Sequence, residues 1–299
     1  MNSFYSHGKL LLTGEYVVLK GAHALAIPCS KGQRLTFTPN LESTLVWESY
    51  DTNKTVWFSA QFDLSQMTIR ESSNPQMAKR LAQVLLVAKE ENQTFLQYGG
   101  RVETYLEFDQ NWGLGSSSTL IASIAQWAQV NPFVILERSF GGSGYDVACA
   151  QATTPIVYTR NGTSPQIKTV SFRPSFIDNL FFVYLNQKKD SSEAVRDFSS
   201  VTVTEELFDK INDITNQLIN CTTQNDFNDL LQLHESIIGK LIGQTPIQER
   251  LFADFEGRIK SLGAWGGDFI LASGNSSSPS YFANLGYSTV IPYKEMCLE

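Results

Sequence analysis

The chain has 299 residues, with 42% hydrophobic and 18% charged residues, which is the composition of a globular protein able to bury a sizeable core. Its formal net charge of −7 argues against the nucleic-acid-binding proteins, which usually carry a basic surface to neutralise phosphates. The negative charge does not exclude a phosphate-binding enzyme, because backbone N–H groups and one or two lysines can hold a phosphate.

The start of the chain predicts strands and then a helix. Residues 9–13 and 16–19 are rich in apolar residues and flank Gly14, so we expect a hairpin or bend there. A helix is predicted to begin at Pro75, because Asn74 is a good cap and the following apolar residues recur at helical spacing. The first residues lack the pattern of a secretory leader, so we expect none, and no apolar run in the sequence is long enough to cross a membrane.

The middle of the chain predicts a strand, a glycine-rich loop and a helix, in that order. Residues 101–108 alternate between apolar and polar side chains, which is typical of a strand with one buried face. Residues 113–118 form the loop, and the residues after them have the apolar spacing of a helix. A polar, turn-rich segment at 159–175 then indicates a domain junction.

The last part of the chain predicts a second α/β unit. We expect strands at residues 180–185 and 268–272 and near 289–293, and helices over 204–219, 225–242 and 246–262. Because strands and helices are segregated along the chain, the pattern predicts an α+β fold with two domains, residues 1–170 and residues 171–299. The four cysteines lack the spacing of a metal or redox motif, which indicates reduced thiols and a cytoplasmic protein.

The loop at residues 113–118 is the most informative segment for chemistry. Its glycines allow the backbone to approach an anion, and the helix that follows offers free N–H groups and the positive end of its dipole. The neighbouring hydroxyls can bind phosphate oxygens or ligate Mg²⁺. The alternative is a simple strand-to-helix turn whose serines cap the helix. A Walker A loop is excluded, because no Gly-Lys-Ser/Thr follows at the required spacing.

Four charged residues are further candidates. Asp146 follows a second glycine-rich turn and could accept a proton from a phosphoryl acceptor, or could simply cap a helix. Lys9 precedes a strong strand and becomes functional only if the fold brings it beside Asp146, since a lysine there is usually a surface charge. Glu15 and Glu137 are candidates for metal or ribose contacts, with the alternative that each is an ordinary surface acid.

Three segments in this order resemble the galactokinase, homoserine kinase, mevalonate kinase and phosphomevalonate kinase (GHMP) superfamily. They are HGKLLLTGEYVVLKGAHALAIP at 7–28, NWGLGSSSTLIAS at 111–123 and LGAWGGDFILA at 262–272. The first segment is most similar to mevalonate and phosphomevalonate kinases. The run Gly144-Tyr145-Asp146-Val147-Ala148 is similar to a bacterial subgroup with a Gly-Tyr-Asp-Ile-Ala signature.

The resemblance implies a ribosomal-S5-like N-terminal domain and a ferredoxin-like C-terminal domain, with ATP and substrate bound between them. It implies that Asp146 is the catalytic aspartate and that Lys9 pairs with it. It implies Mg²⁺ ligation by Ser117 and, with a gap of two residues in the match, by Glu137. The implied ATP contacts are Gly113, Leu114, Gly115, Ser116, Ser117, Ser118 and Gly266, the last belonging to a third glycine-rich loop.

The sequence also departs from the superfamily pattern. The third segment usually contains glycines and small residues, but Trp265 and Asp268 stand here. Tyr16 replaces a histidine common in mevalonate kinases, and the usual proline is missing before Gly113. These departures leave the proposed catalytic groups in place and bear on the identity of the substrate.

The resulting hypothesis is a Mg²⁺-ATP-dependent kinase of mevalonate, monomeric or homodimeric. The alternative within this class is a phosphomevalonate kinase, whose acceptor phosphate could be neutralised by Lys188, Lys189 and Arg196, which could equally be solvated charges. An alternative from another class is a non-catalytic protein that senses a nucleotide or metabolite. The altered third segment favours this sensor, and the retained Lys9 and Asp146 argue against it.

Overall fold

The computed structural model describes residues 1–187, 198, 201–265 and 267–298. Over these residues the chain forms two β-sheets with helices packed against them, which confirms the predicted α+β fold. The strands are β1 (Asn2–Leu11), β2 (Ala24–Pro39), β3 (Thr44–Tyr50), β4 (Val56–Asp63), β5 (Thr68–Ser72), β6 (Gly100–Leu106), β7 (Ile156–Thr159), β8 (Gln166–Thr169), β9 (Leu180–Tyr184), β10 (Arg258–Ser261), β11 (Phe269–Ser273) and β12 (Val290–Pro292).

The helices of the described residues fall into the same two groups as the strands. Those of the first half are α1 (Pro75–Glu91), α2 (Ser116–Ala128), α3 (Pro132–Ser139) and α4 (Tyr145–Gln151). Those of the second half are α5 (Glu205–Ile219), α6 (Gln224–Ile242), α7 (Ile247–Leu251), α8 (Ser278–Asn284) and α9 (Tyr293–Met296). None of these helices combines the length and the apolar character that crossing a bilayer requires.

The two sheets differ in strand direction. In the first sheet, β1 to β8 are ordered 5-4-3-6-2-7-8, β1 pairs with β2, and all described pairs are antiparallel except the parallel pair β3–β6. The second sheet is antiparallel, with the order β10-β11-β9-β12. The first sheet therefore uses residues before 170 and the second uses residues after 179. The exact domain boundary at residues 170 and 171 stays a prediction.

Side-chain caps explain where several helices begin. The side chain of Asn74 accepts a hydrogen bond from the Met77 amide at 3.1 Å, which satisfies one of the free N–H groups at the start of α1 and confirms the predicted cap. Thr204 caps α5 and Thr223 caps α6 in the same way. The helix α2 is different, because no side chain of the described residues caps its N-terminus, which follows Gly115.

Two sequence predictions of local structure are wrong. Residues 16–19 do not form a strand, because the chain turns at Gly14 and continues as a 3₁₀ helix, Val17–Lys20. The predicted helix over 246–262 ends at Leu251, and Arg258–Ser261 is instead a strand paired with β11. Gly257 has a φ of 149° and lies against the Ser273 carbonyl, so the backbone there follows the sheet edge and cannot remain helical.

The hydrophobic core is continuous between the two halves. One cluster of buried side chains joins β1, β2 and β6 of the first sheet to β9, β11, α5 and α6 of the second half. Its members include Leu10, Ile27, Phe182 and Phe269. None of the four cysteines, all of which lie in the described residues, takes part in a disulfide. Because the two halves share a core, the groups at their junction have fixed positions.

Candidate active site

The glycine-rich loop connects β6 to α2 at the junction of the two halves. Gly113 and Gly115 have φ values of 64° and 88°, a conformation that other residues rarely adopt. A Cβ atom at Gly115 would lie 2.7 Å from Oγ of Ser118 and 3.2 Å from Cε of Lys9, so the loop has no room for a side chain there. The loop therefore forms a backbone-lined cradle next to a lysine.

The first turn of α2 keeps its N–H groups available. The hydroxyl of Ser118 donates to the Gly115 carbonyl at 3.1 Å and does not cap the helix. Ser116 is partly exposed and Ser117 is exposed, whereas Ser118 is buried. The predicted alternative, in which serines cap this helix, is therefore wrong for the described residues. Uncapped N–H groups and the helix dipole together favour an anion at this point.

Lys9 is directed at this loop by an irregularity in β1. The β1–β2 pairing shifts register between His7 and Lys9, and such a bulge re-aims the side chains beside it. The Lys9 amide donates to the Leu114 carbonyl at 3.0 Å, and its Nζ donates to the Gly113 carbonyl at 3.1 Å. Both the backbone and the side chain of Lys9 are thus fixed to the loop, so the interpretation of Lys9 as a solvated surface charge is wrong.

Asp146 and Tyr145 lie at the start of α4, next to Lys9. The ammonium of Lys9 lies 5.5 Å from the ring centroid of Tyr145. Burial by itself would lower the pKa of Lys9, but Tyr145 and Asp146 outweigh it and raise the pKa above that of an ordinary lysine. Oδ1 of Asp146 accepts the Val147 amide at 3.0 Å, which orients the carboxylate. Asp146 is near enough to Lys9 to act on it electrostatically, but no ion pair or hydrogen bond of the described residues joins the two side chains, so their pairing and their catalytic roles stay predictions.

Asp268 is a second carboxylate at the loop, and sequence reasoning gave it no role. Its Oδ2 lies 2.1 Å from the point that a Cβ of Gly113 would occupy, so it fills the side-chain space of the first loop residue. It also contributes to the raised pKa of Lys9. The signal in the sequence was the departure of the third segment from the usual small residues.

The two predicted metal ligands, Ser117 and Glu137, lie on different helices. Ser117 exposes its side chain on the first turn of α2, within the loop. Glu137 is exposed on α3, and no hydrogen bond or ion pair joins it to Ser117 or Asp146 in the described part of the chain. That part also holds no cluster of three His, Cys, Asp or Glu side chains arranged for a metal. Mg²⁺ often takes only one or two protein ligands beside substrate phosphates, so both metal roles stay predictions.

The third glycine-rich loop reaches the site from the second half of the chain. Tyr16 has a φ of 65° in a γ-turn closed by the Val17 amide on the Glu15 carbonyl at 2.7 Å. Its hydroxyl donates to the Ala264 carbonyl at 3.0 Å, which anchors the third loop to the first segment. Gly266, a predicted ATP contact, lies outside the described residues, as do Lys188, Lys189 and Arg196.

An open cleft extends from the loop and is large enough for a nucleoside. Its volume is about 780 Å³, and Trp112, the residue before Gly113, lines it. The other aromatic lining residues are Tyr105, Phe108 and Tyr184, and the basic ones are Lys31 and Lys54. Aromatic faces with nearby hydrogen-bonding groups suit a planar heterocycle.

Glu15 belongs to none of these surfaces. It is fully buried, where its Oε1 contacts the ammonium of the equally buried Lys260. Both sequence interpretations of Glu15, a metal or ribose contact and a surface acid, are therefore wrong. Its partner lies 245 residues away in the chain, so no local pattern could have indicated the pair.

Comparisons with known proteins support the fold through structure alone. Neither the family models nor the curated protein sequences match this chain. Phosphomevalonate kinase from Streptococcus pneumoniae, solved with phosphomevalonate and AMPPNP, is 17% identical with a TM-score of 0.70, and 95% of each chain is covered.

Two further solved structures are similar over comparable lengths. Mevalonate kinase from Methanococcus jannaschii is 15% identical with a TM-score of 0.66, covering 97% of this chain and 96% of the other. Galactokinase from Lactococcus lactis, solved with galactose, is 12% identical with a TM-score of 0.68, covering 99% of this chain and 92% of the other. The subgroup with the Gly-Tyr-Asp-Ile-Ala signature stays a prediction. The chain therefore has the two-domain α+β fold of mevalonate kinase, phosphomevalonate kinase and galactokinase.

Proposed function

We propose that this protein is a Mg²⁺-ATP-dependent kinase that transfers the γ-phosphoryl group to a hydroxyl of a small metabolite. The observation that carries this proposal is the meeting of Lys9, Asp146 and the loop at residues 113–118 at one point of the fold. In the sequence alone, each of the three segments also has an ordinary structural interpretation. Their convergence beside an open cleft supplies the parts that phosphoryl transfer requires.

The nucleotide fits this arrangement in two parts. The triphosphate would accept hydrogen bonds from the uncapped N–H groups of α2, with Gly113 and Gly115 allowing close approach. The nucleoside would extend into the cleft, where Tyr105 and Trp112 offer aromatic faces. Mg²⁺ would neutralise charge on the phosphates, and the exposed Ser117 hydroxyl is an oxygen ligand of the kind that it prefers.

The proposed reaction assigns one role to each charged side chain. The hydroxyl oxygen of the acceptor forms a bond to the γ-phosphorus of ATP while Asp146 accepts the proton of that hydroxyl. The bond between the γ-phosphorus and the oxygen that bridges it to the β-phosphate breaks, which releases ADP. Lys9 is protonated at neutral pH, because its pKa is raised, and it stabilises both Asp146 and the negative charge of the transferred group. Positioning and charge neutralisation supply most of the acceleration in this type of reaction.

Mevalonate is the acceptor that we propose first, with phosphomevalonate as the close alternative. The first sequence segment supports this choice, because it is most similar to kinases of these two compounds. Phosphomevalonate would require additional positive charge for its own phosphate. The candidates for that charge lie outside the described residues, so the fold is compatible with either acceptor.

An assay of ADP release tests the proposal directly. The protein is incubated with Mg²⁺-ATP and, separately, mevalonate, phosphomevalonate, galactose or homoserine. We expect turnover with mevalonate or phosphomevalonate, and a reduction in kcat of at least about 10²-fold in Asp146→Asn, with little change in nucleotide affinity. The matched control is Asp178→Asn, an exposed aspartate paired with Lys294. ATP binding without transfer to any of the four acceptors, or normal turnover of Asp146→Asn, would contradict the proposal.

A further inference from the structure

We propose that Tyr158 is a positioning residue, whose hydroxyl fixes the glycine-rich turn at residues 141–144 and, through that turn, the carboxylate of Asp146. This inference rests on the proposed function, because it concerns the group that accepts the proton of the acceptor hydroxyl. Tyr158 lies on β7 and belongs to none of the three segments that resemble the GHMP superfamily.

The glycine-rich turn before Asp146 is not packed at its first two residues. Gly141, Gly142 and Gly144 have φ values of 67°, 108° and 85°, a conformation that favours glycine, which also has the most backbone freedom to lose. A Cβ atom at Gly141 or Gly142 would meet no atom within 4 Å apart from those of adjacent residues. Among the described residues, no side chain caps α4, which follows Gly144. The position of the turn therefore depends on contacts from elsewhere in the fold.

Tyr158 contacts the last two residues of this turn. Its hydroxyl donates to the Ser143 carbonyl at 2.6 Å. The same oxygen lies 2.8 Å from the position of a Cβ at Gly144, so the approach requires a glycine there. Because burial raises the pKa of Tyr158 to about 12, the hydroxyl stays protonated and remains a donor at neutral pH. One hydrogen bond thus fixes the backbone at the point where α4 begins.

The ring of Tyr158 is itself held by the first sheet. Tyr158 is fully buried, and β7 runs between β2 and β8, with Tyr158 paired to Ala24 and to Ile167. The ring belongs to the same core cluster as Leu11 on β1 and Ala148 on α4. Tyr158 therefore connects the sheet to the helix that carries Asp146, and a group built on a strand is positioned precisely.

The direction of the Asp146 side chain follows from the backbone of the turn. Asp146 lies on the first turn of α4, where the Ala148 amide donates to the Gly144 carbonyl at 3.0 Å. Asp146 is also near enough to Tyr158 to act on it electrostatically. Without the hydroxyl of Tyr158 the turn can shift, and a displacement of about 1 Å can cost about 10²-fold in a reaction that depends on positioning. The loop at residues 113–118 precedes a different helix, α2, so nucleotide binding should not change.

The test removes the hydroxyl and keeps the buried ring. In Tyr158→Phe we expect kcat to fall at least about tenfold, while the dissociation constant of AMPPNP, measured by calorimetry, changes less than about twofold. We also expect hydrogen exchange of the amides at residues 144–148 to become at least about fivefold faster, the factor that one net hydrogen bond represents. The matched control is Tyr281→Phe, which removes an exposed hydroxyl that donates to Asp254 at 2.6 Å and should retain the wild-type kcat.

Unchanged exchange in Tyr158→Phe overturns the inference, and so does an unchanged kcat. A loss of nucleotide affinity as large as the loss of kcat also overturns it, because it would show a general disturbance of the fold. A wild-type protein that turns over none of the four acceptors has a different meaning. It overturns the proposed function and, with it, the catalytic part of this inference. The exchange measurement needs no substrate, so it still decides whether the hydroxyl holds the turn.

Discussion

Among the described residues, Lys9 at the candidate active site and Lys260 in the core each interact electrostatically with two carboxylates. Lys9 is partly exposed and hydrogen-bonded to the loop, and Asp268 fills the side-chain space of Gly113 in that loop. Lys260 is fully buried, where it contacts Glu15 and lies 3.6 Å from Glu235. The two groups have the same charges, but the first is accessible to solvent and the second is not. Solvent and ligand can reach only the first, so chemistry is expected there and a structural role at the second.

The buried group connects the two halves of the protein. Glu15 comes from the first segment, whereas Lys260 and Glu235 come from β10 and α6. The Gly14 amide donates to Nε2 of His234 at 3.0 Å, which keeps that imidazole neutral, and burial holds its pKa well below the ordinary value. His234 therefore adds no positive charge. Burial raises the pKa of Glu15 to about 7 even though Lys260 opposes that shift.

The largest expected effect comes from removing the buried lysine. Lys260→Met leaves two carboxylates in the core without their cation, and breaking such a pair typically costs 3–5 kcal/mol, so we expect a loss of about that size in the free energy of unfolding. Chemical denaturation measures it. Lys294→Met is the control, because Lys294 forms an exposed ion pair with Asp178 and should cost less than about 1 kcal/mol. Equal free energies of unfolding for Lys260→Met and Lys294→Met would mean that the buried ion pair contributes no more to stability than the exposed one.

At Lys9 and its two aspartates we expect a large loss of activity and only a small loss of stability. Lys9→Met should reduce phosphoryl transfer by at least about 10²-fold, because it removes a charge placed to stabilise the transferred group. Its free energy of unfolding should change less than that of Lys260→Met, since water can solvate the aspartates that remain. Steady-state kinetics and denaturation of the same preparation give both values. A variant that unfolds as readily as Lys260→Met would assign Lys9 a mainly structural role.

The smallest expected effect is a change in pH dependence. The pKa of Glu15 is raised in the folded protein, so the folded state binds this proton more tightly and the contribution of Glu15 to stability falls as pH rises from about 4.5 to about 7. Glu15→Gln should remove this slope, which is of order 1 kcal/mol per pH unit. Denaturation of both proteins at pH 5, 6 and 7 measures it. Parallel stability curves would show that Glu15 ionises normally when buried.

The sequence predicted the candidate active site around Lys9 better than the buried group of Glu15, Glu235 and Lys260. The glycine-rich loop, the cap at Asn74 and the helix after Gly115 are local patterns, and each appears in the structure. The resemblance indicated that Lys9 pairs with Asp146, which stays a prediction. Contacts between distant segments without a motif were missed, such as Glu15 with Lys260 and Asp268 with Gly113.

The wrong local predictions have a related cause. The third helical pattern of the second half contains apolar residues at helical spacing, but its end is recruited as β10 by pairing with β11. The segment after Gly14 has the β-branched residues of a strand, and yet Tyr16 turns the chain toward the other half. In both places a contact made across the fold overrides the local preference of the residues.

The strained turn at Tyr16 limits how this protein can be stabilised by engineering. A non-glycine residue with this backbone conformation stores of order 1–3 kcal/mol, so substitution by glycine would relieve strain. The same substitution would delete the hydroxyl that holds Ala264 and leave the third loop untethered on that side. Tyr16 is also buried in a core cluster, where its ring centroid lies 5.3 Å from that of Phe198. The cavity left by glycine would cost more stability than the relieved strain returns, so the strain at this position is retained by its own packing.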